Sequence, residues 1–450
     1  MRRERTEGMK LRPLHLPPHE VRVLDNGLTL HVVKRSSLPL VAVRLVVRAG
    51  SAFDLPGERG VADFASRLLR RGAAGKSADE ISEAVDLVGA ALGGYANEEN
   101  VVVSLSTPSR HLEAMLGILG QIVREPDFPE QEVELARRRT LAQLANELDD
   151  PGTLADRALS RAVWGHHPYA FESSGGKADV ERLTRAQLVA FHRERFGPKV
   201  AHLFVVGDVD VEGVTEVIQR TLGGWAGGPP FAPEVPAWSG LEKPGEVVIV
   251  DKPEQTQVQL RIGAKGVRRG HPDHFPLVVM NAVLGGGFTS RLVTEIRVKR
   301  GLSYGAGSAF DMLSAGGSFT VSSFTRTESI NTLIDVALTE VERMRAKGPS
   351  AKELATVQRY ICGLYPGRLE TNEAVAGAIA DVVHYGLPQD WIASYRERIS
   401  EVTVRQAAEA AQKYLFTGDR VLALVGNAEA LKPLVSRYGP ITVLRPTDLE

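Results

Sequence analysis

Two similar α+β domains, each a sheet with helices on one face, are what this 450-residue sequence predicts. Three observations carry the prediction. The middle of the chain is dense in Gly and Pro, segments on either side match at a near-constant offset, and strands mix with long helices without regular β-α-β alternation.

The middle stretch is "GGWAGGPPFAPEVPAWSGLEKPG", residues 223–245. Proline fixes φ and removes a backbone donor, so such a run excludes a long helix or a central strand and reads as a linker. It separates an N-terminal domain, 1–222, from a C-terminal domain, 246–450. The first ends with "LTRAQLVAFHRERFGPKVAHLFVVGDVD" and the second holds "VTVRQAAEAAQKYLFTGDRVLALVGNAE" at the equivalent place. Thr184 and Thr403 lie 219 positions apart, as do Gly207 and Gly426, and Lys34 and Lys252 lie 218 apart. Each half opens on apolar–polar alternation, Leu40 and Ala42 in one and Val258, Leu260 and Ile262 in the other. Helical stretches follow at 110–124, 129–148, 329–347 and 350–365, and "HLFVVGD" and "VLALVGN" close the halves as strands.

Composition narrows the function classes. The chain is 43% hydrophobic and 24% charged, with 54 basic against 55 acidic residues and a net charge of −1. No basic surplus points to nucleic acid or an anionic membrane. The single cysteine, Cys362, excludes an internal disulfide framework and a Cys-rich zinc site, and reads as a small buried hydrophobe. "MRRERTEGMKLRPLHLPPHE" at the start has no apolar run, so neither a signal peptide nor a membrane span is expected there. The expected location is cytoplasmic, or periplasmic if a leader was removed.

Three motifs carry chemistry. "GVADFASRLLRRG", residues 60–72, reads as an amphipathic helix with Asp63, Ser66 and Arg67 on its polar face. "WGHHPY" stands at 164–169 and "NAVLGGGFTSRLVTEIRVKRGLSYG" at 281–305. Together with the opening "DNGLTLHVVKRSSLPLVAVRLVVRAG" and the two-half plan, they make the chain resemble the pitrilysin-type (insulinase-type) zinc peptidases. In length it is similar to the mitochondrial processing peptidase subunits and their bacterial relatives. The resemblance implies two homologous α+β domains in a clam-shell arrangement.

Active members of that family carry H-x-x-E-H on the first helix, two zinc-binding His one turn apart with a Glu as general base, and a further Glu ligand downstream. Here Asp63 and Arg67 hold the His positions and Ser66 the Glu position. Gln143, in "LAQLANELDDP", holds the downstream one. Arg67 keeps its charge and repels a dication, Gln143 is a poor ligand, and Ser66 is no base at neutral pH. No zinc or other cofactor is therefore expected in this chain, and Asp63 and Arg67 are expected to form an i,i+4 ion pair, worth a few tenths of a kcal/mol (~0.3) if exposed.

The second half keeps its letters. Family members carry an Arg and a Tyr that bind backbone carbonyls of the peptide near the scissile bond, at the spacing of Arg297 and Tyr304 in "TEIRVKRGLSYGAGS". "TSRLVTEIRVKR" reads as a helix with Leu292, Val293 and Ile296 on its apolar stripe, Gly301 as its C-cap, and "LSYGAGSAF" as a strand. That puts Arg297 in the last helical turns and Tyr304 on the returning strand. Two donors there suit a carbonyl that gains charge.

"LGGGFTSRL" lacks the G-K-[ST] of a phosphate loop, so Gly285, Gly286 and Gly287 read as a turn that permits close approach. His166–His167 and the His271/His274 pair read as structural loops. His19–Glu20 is followed by Val23 where a second ligand would stand, so no other zincin motif exists. What the resemblance implies is a non-zinc subunit, inactive alone, lending Arg297 and Tyr304 to a site whose zinc and general base come from a homologous H-x-x-E-H partner acting on unfolded peptides. The alternatives are a silent structural subunit similar to respiratory-complex core proteins, and a peptide-binding protein or homodimeric chaperone. Pairing of identical copies in the partner's absence stays open.

Overall fold

The computed structural model describes residues 14, 17–416 and 419–450, so the reading of the N-terminal segment falls largely outside the described residues. Two six-stranded mixed sheets dominate. The first runs His19–Val23, Thr29–Lys34, Ala201–Gly207, Leu40–Val47, Val101–Pro108, Ala91–Ala96. The second, read from its opposite end, runs Ile441–Leu444, Val247–Asp251, Arg420–Gly426, Gln257–Lys265, Gly317–Arg326, Ala306–Met312. Position by position the order is the same, so the two-domain α+β plan holds. Only the outermost strand differs: His19–Val23 pairs antiparallel with the strand that follows it, whereas Ile441–Leu444 arrives from the far end of the sequence and pairs parallel.

The repeat is visible in local chemistry. Thr184 and Thr403 both cap helices, Arg185–Arg195 and Val404–Tyr414, and each closes a capping box with a Gln three residues on. The ladder register corrects one pairing. Lys34 stands opposite Gly207 and Asp251 opposite Gly426, so the equivalent of Lys34 is Asp251 and that of Lys252 is Arg35. Register, which decides the face each side chain takes, outranks the matching letters.

Each sheet lays one face on helices of its own half. In the first, Val32, Leu45, Val101, Val103, Leu203 and Val205 join the core beneath helices such as Val61–Leu68 and Leu112–Arg124. The other face is covered as well, and by the opposite half. Helix Asn372–His384 lies across the first sheet, where Val375, Ala376, Ile379 and Ala380 meet Val33, Val46, Val102, Phe204 and Val206. Helix Pro151–Trp164, capped by Asp150 with Pro151 in its first turn, lies across the second sheet, where Leu154, Ala155, Ala158 and Leu159 meet Val248, Val250, Val421, Ala423 and Val425. Arg261 on that sheet reaches back to Asp156 on the exchanged helix at 2.5 Å. The alternation expected at Leu40–Val47 is therefore absent. Six of its eight residues are buried, because both faces are packed.

No helix or strand lies between Leu222 and Val247. This connection is pinned to the first half, where Arg48 donates to the Pro233 carbonyl at 2.9 Å, His167 donates to the Pro236 carbonyl at 2.8 Å and Trp238 packs 4.2 Å from Trp164, and it touches the second through Lys265, 5.5 Å from the Trp238 ring. His167 and Tyr169 thus serve as a docking loop, and His271, held by Asp273 N–H and Tyr414, likewise belongs to the scaffold.

One polar junction ties the halves together. Glu99, 2% exposed, accepts from Tyr169 O–H, from the Ser314 backbone N–H at 2.9 Å, from Ser314 Oγ at 2.7 Å and from His384 Nε2. The ring's other nitrogen, Nδ1, lies 3.3 Å from Arg48 Nη1. Burial alone would raise the Glu99 carboxyl, but the hydrogen bonds from His384, Tyr169 and Ser314 outweigh it and hold it at about 2.

Candidate functional site

Helix Val61–Leu68 is positioned at its N-terminus by Asp54, whose two oxygens accept the Gly60 and Ala62 N–H groups at 2.9 and 3.2 Å. These amides have no partner within the helix, and a carboxylate also suits the positive end of its dipole. Burial nevertheless pushes the Asp54 carboxyl up to about 7 against those bonds, with Asp63 and Glu58 adding repulsion. Asp54 escaped the sequence reading. A D-x-x-x-x-x-G spacing ahead of a helix is too loose a signal to single it out.

On the helix, Asp63 and Arg67 form the expected pair at 2.6 Å. It is less exposed than a surface pair, with side chains 14% and 35% accessible. Arg67 also donates to Thr140 Oγ1 at 3.1 Å, on helix Glu130–Glu147, and its guanidinium lies 4.9 Å from the Phe64 ring centroid. Burial pushes the Asp63 carboxyl above the usual range, and Arg67 pulls it back only in part. Ser66 is buried and donates to its own helix, to the Asp63 carbonyl at 2.7 Å. Gln143 donates to Glu147 at 2.7 Å.

These four side chains make a poor zinc donor set. The one carboxylate is engaged by a fixed cation, the hydroxyl by the backbone, and the amide by a neighbouring acid. Among the described residues no group of three His, Cys, Asp or Glu is arranged to hold a metal. No helix among them is long and apolar enough to cross a membrane.

The second-half motif is built differently. Leu292, Val293 and Ile296 are buried as the stripe predicts. The segment Val293–Val298, however, is wound as a π-helix rather than an α-helix, with Lys299 N–H reaching Thr294. It stops at Gly301, φ +61°, where Gly301 N–H bonds the Arg297 carbonyl and Leu302 N–H the Ile296 carbonyl, a nested pair each one residue wider than a Schellman motif. Arg297 lies 4.8 Å from the ring of Phe288, which is itself exposed.

Tyr304 is not on a strand: it sits in a bend, and the strand starts at Ala306. The bend is fixed from the next strand, because Ser323 Oγ donates to the Gly305 carbonyl at 2.8 Å and Thr325 Oγ1 to the Leu302 carbonyl at 2.7 Å. Those bonds use up backbone groups that strand pairing would have taken, and they leave the Tyr304 ring 83% exposed on a rigid mount. Gly285 explains the glycine run. A Cβ there would lie 2.3 Å from Ser308 Oγ, so its backbone packs directly on strand Ala306–Met312.

Comparison with known proteins agrees with this layout. The family model described as "Insulinase (Peptidase family M16)" matches residues 31–174, and the one described as "Peptidase M16 inactive domain" matches residues 182–361. A protein of Mycobacterium tuberculosis described as an uncharacterized zinc protease is 27% identical over 91% of this chain and 94% of its own length. Another uncharacterized zinc protease, from Bacillus subtilis, is 23% identical over 89% and 96%. Among solved structures, a peptidase M16 inactive domain from Pseudomonas fluorescens superposes with a TM-score of 0.86 at 27% identity, covering 91% of this chain and 98% of that one. A protease from Helicobacter pylori, at 20% identity and a TM-score of 0.84, shares the fold. Both halves of the repeat are thus matched by the same peptidase family, and the chain belongs to the insulinase-type (M16) peptidases, as a member whose first helix lacks the H-x-x-E-H letters.

Proposed function

We propose that this chain is the non-zinc subunit of a heteromeric metallopeptidase. It positions unfolded peptide with Arg297 and Tyr304, while a homologous chain bearing H-x-x-E-H supplies the zinc and the general base. The observation that carries the reading is a contrast between the halves. On helix Val61–Leu68 the metal positions are consumed by internal pairing, Asp63 with Arg67 and Ser66 with the backbone. In the second half an exposed phenol stands on a braced bend, and the Arg297 guanidinium rests on an exposed ring. A side chain held rigid and left solvated is ready to donate without reorganising, which is what stabilising a developing charge requires. In this reading the chain alone binds no catalytic zinc and cleaves nothing.

The test is reconstitution with the homologous zinc-bearing chain. The mixture is expected to hydrolyse unstructured peptides and to lose that activity with a chelator. Arg297→Ala and Tyr304→Phe are each expected to lower kcat/KM about a hundredfold while the complex stays assembled. Full turnover in both variants would replace this reading with that of a silent structural subunit.

A further inference from the structure

The second half contains a cavity of about 580 Å³ that the peptidase reading does not use. It lies between helices His274–Leu284, Ala351–Leu364, Asn372–His384 and Trp391–Glu401 and the edge strand Ala306–Met312. Its size falls within the range of sites for small organic ligands, roughly 300–1,000 Å³. Aromatic rings form much of the wall. Tyr365 and Tyr395 stack at 4.3 Å and 9°, and Trp391 and Phe310 also line the space.

Two features point to an occupant. His274 lines the cavity, is 4% exposed, and its ring Nδ1 is buried without a partner. Burial lowers its pKa to about 3, so it is a neutral donor–acceptor at pH 7. Arg269, half-buried on the same wall, has its Nε buried without a partner, and its guanidinium lies 5.6 Å from the Tyr385 ring. Polar groups buried without partners cost about 1–3 kcal/mol each, and these two belong to side chains that line one cavity. The remaining charges balance. Arg269 and Arg368 line the space together with Asp311 and Asp381, two basic against two acidic side chains.

A charge-balanced, ring-walled space selects a ligand that is itself neutral overall, carries both signs and presents an aromatic ring. We propose that this cavity binds an aromatic α-amino acid zwitterion, either free or as a short peptide with both termini uncapped. The carboxylate goes to Arg269 and Arg368, the ammonium to Asp311 and Asp381, the ring against the Tyr365–Tyr395 stack, and His274 completes the polar contacts. All the named residues belong to this chain, so the proposal stands or falls without a partner subunit and separately from the peptidase reading.

Titration calorimetry on the full-length chain tests it with L-tyrosine, N-acetyl-L-tyrosine, L-tyrosinamide and the dipeptide Ala-Tyr. L-tyrosine, the dipeptide or both are expected to bind saturably with Kd below about 1 mM, the tighter of the two identifying the source. Each singly capped probe is expected to bind at least tenfold more weakly. Arg269→Gln and, at an exposed position, Arg368→Gln are each expected to lose at least fivefold in affinity for the tighter ligand. No saturable binding of either uncapped probe would overturn the proposal. So would equal binding of the capped ones, or wild-type affinity in both variants. The capped-probe comparison needs only the wild-type protein, so it decides the matter even if a variant fails to fold.

Discussion

Replacing Glu99 by Gln perturbs the junction between the halves with almost no change of shape. Four donors converge on the carboxylate: Tyr169 O–H, Ser314 N–H, Ser314 O–H and His384 N–H. The amide keeps one acceptor oxygen, and its NH₂ would face donors. The carboxyl is held at about 2 against an ordinary value of 4.5, which corresponds to about 3 kcal/mol of stability. Hydrogen bonds to a charged group contribute about 1.5–3 kcal/mol, in agreement.

The sign follows from the direction of the shift. A carboxyl depressed in the folded state contributes fully above its unfolded range near 4.5, and the contribution is lost as pH falls toward 2. Urea unfolding followed by tryptophan fluorescence is therefore expected to give a loss of about 3 kcal/mol for Glu99→Gln at pH 7, shrinking to about half or less near pH 3. A loss under about 1 kcal/mol at pH 7, or one unchanged between pH 7 and pH 3, would refute the reasoning.

Two further outcomes rest on packing and on burial. Because helices Pro151–Trp164 and Asn372–His384 each complete the other half's core, fragments 1–245 and 246–450 expressed separately are expected to be insoluble or to bind a hydrophobic dye strongly, and to form a soluble complex when co-expressed. Two independently stable, monomeric fragments would contradict the exchange. Asp54 runs opposite to Glu99. Its folded pKa is raised to about 7, so its contribution to stability improves as pH falls from above 7 toward the unfolded value near 4. Asp54→Asn keeps one capping oxygen and is expected to flatten the dependence of the melting temperature on pH between 5 and 8; an unchanged slope would rule out Asp54 as its source.

The duplicated plan was legible because it is written in local signals. Thr184 with Gln187 and Thr403 with Gln406 are capping boxes whose spacing alone marks a helix start. The Asp63–Arg67 pair was legible for the same reason, since residues four apart on a helix must meet. The helix exchange was not. The apolar stripe of Pro151–Trp164 announces that one face is buried, but not beneath which sheet. A hint existed in "LVAVRLVV" at 40–47, broken only by Arg44: a near-continuous apolar run signals burial on both faces more than alternation does. The bend at Tyr304 depends on Ser323 and Thr325 from a later strand, and Glu99 meets His384 across 285 positions. Nothing local encodes either contact. Gln143 shows the limit of positional matching, since the right place in the motif delivered a side chain that turns to Glu147.

The central claim is that the first helix of this chain is closed to zinc and that the metal of the working enzyme resides elsewhere. The direct measurement is elemental analysis of the purified, partner-free chain after loading with excess zinc and passage over a chelating resin. The expected result is zinc well below one equivalent, identical in the wild type and in Asp63→Ala. One equivalent retained by the wild type and lost from Asp63→Ala would contradict it.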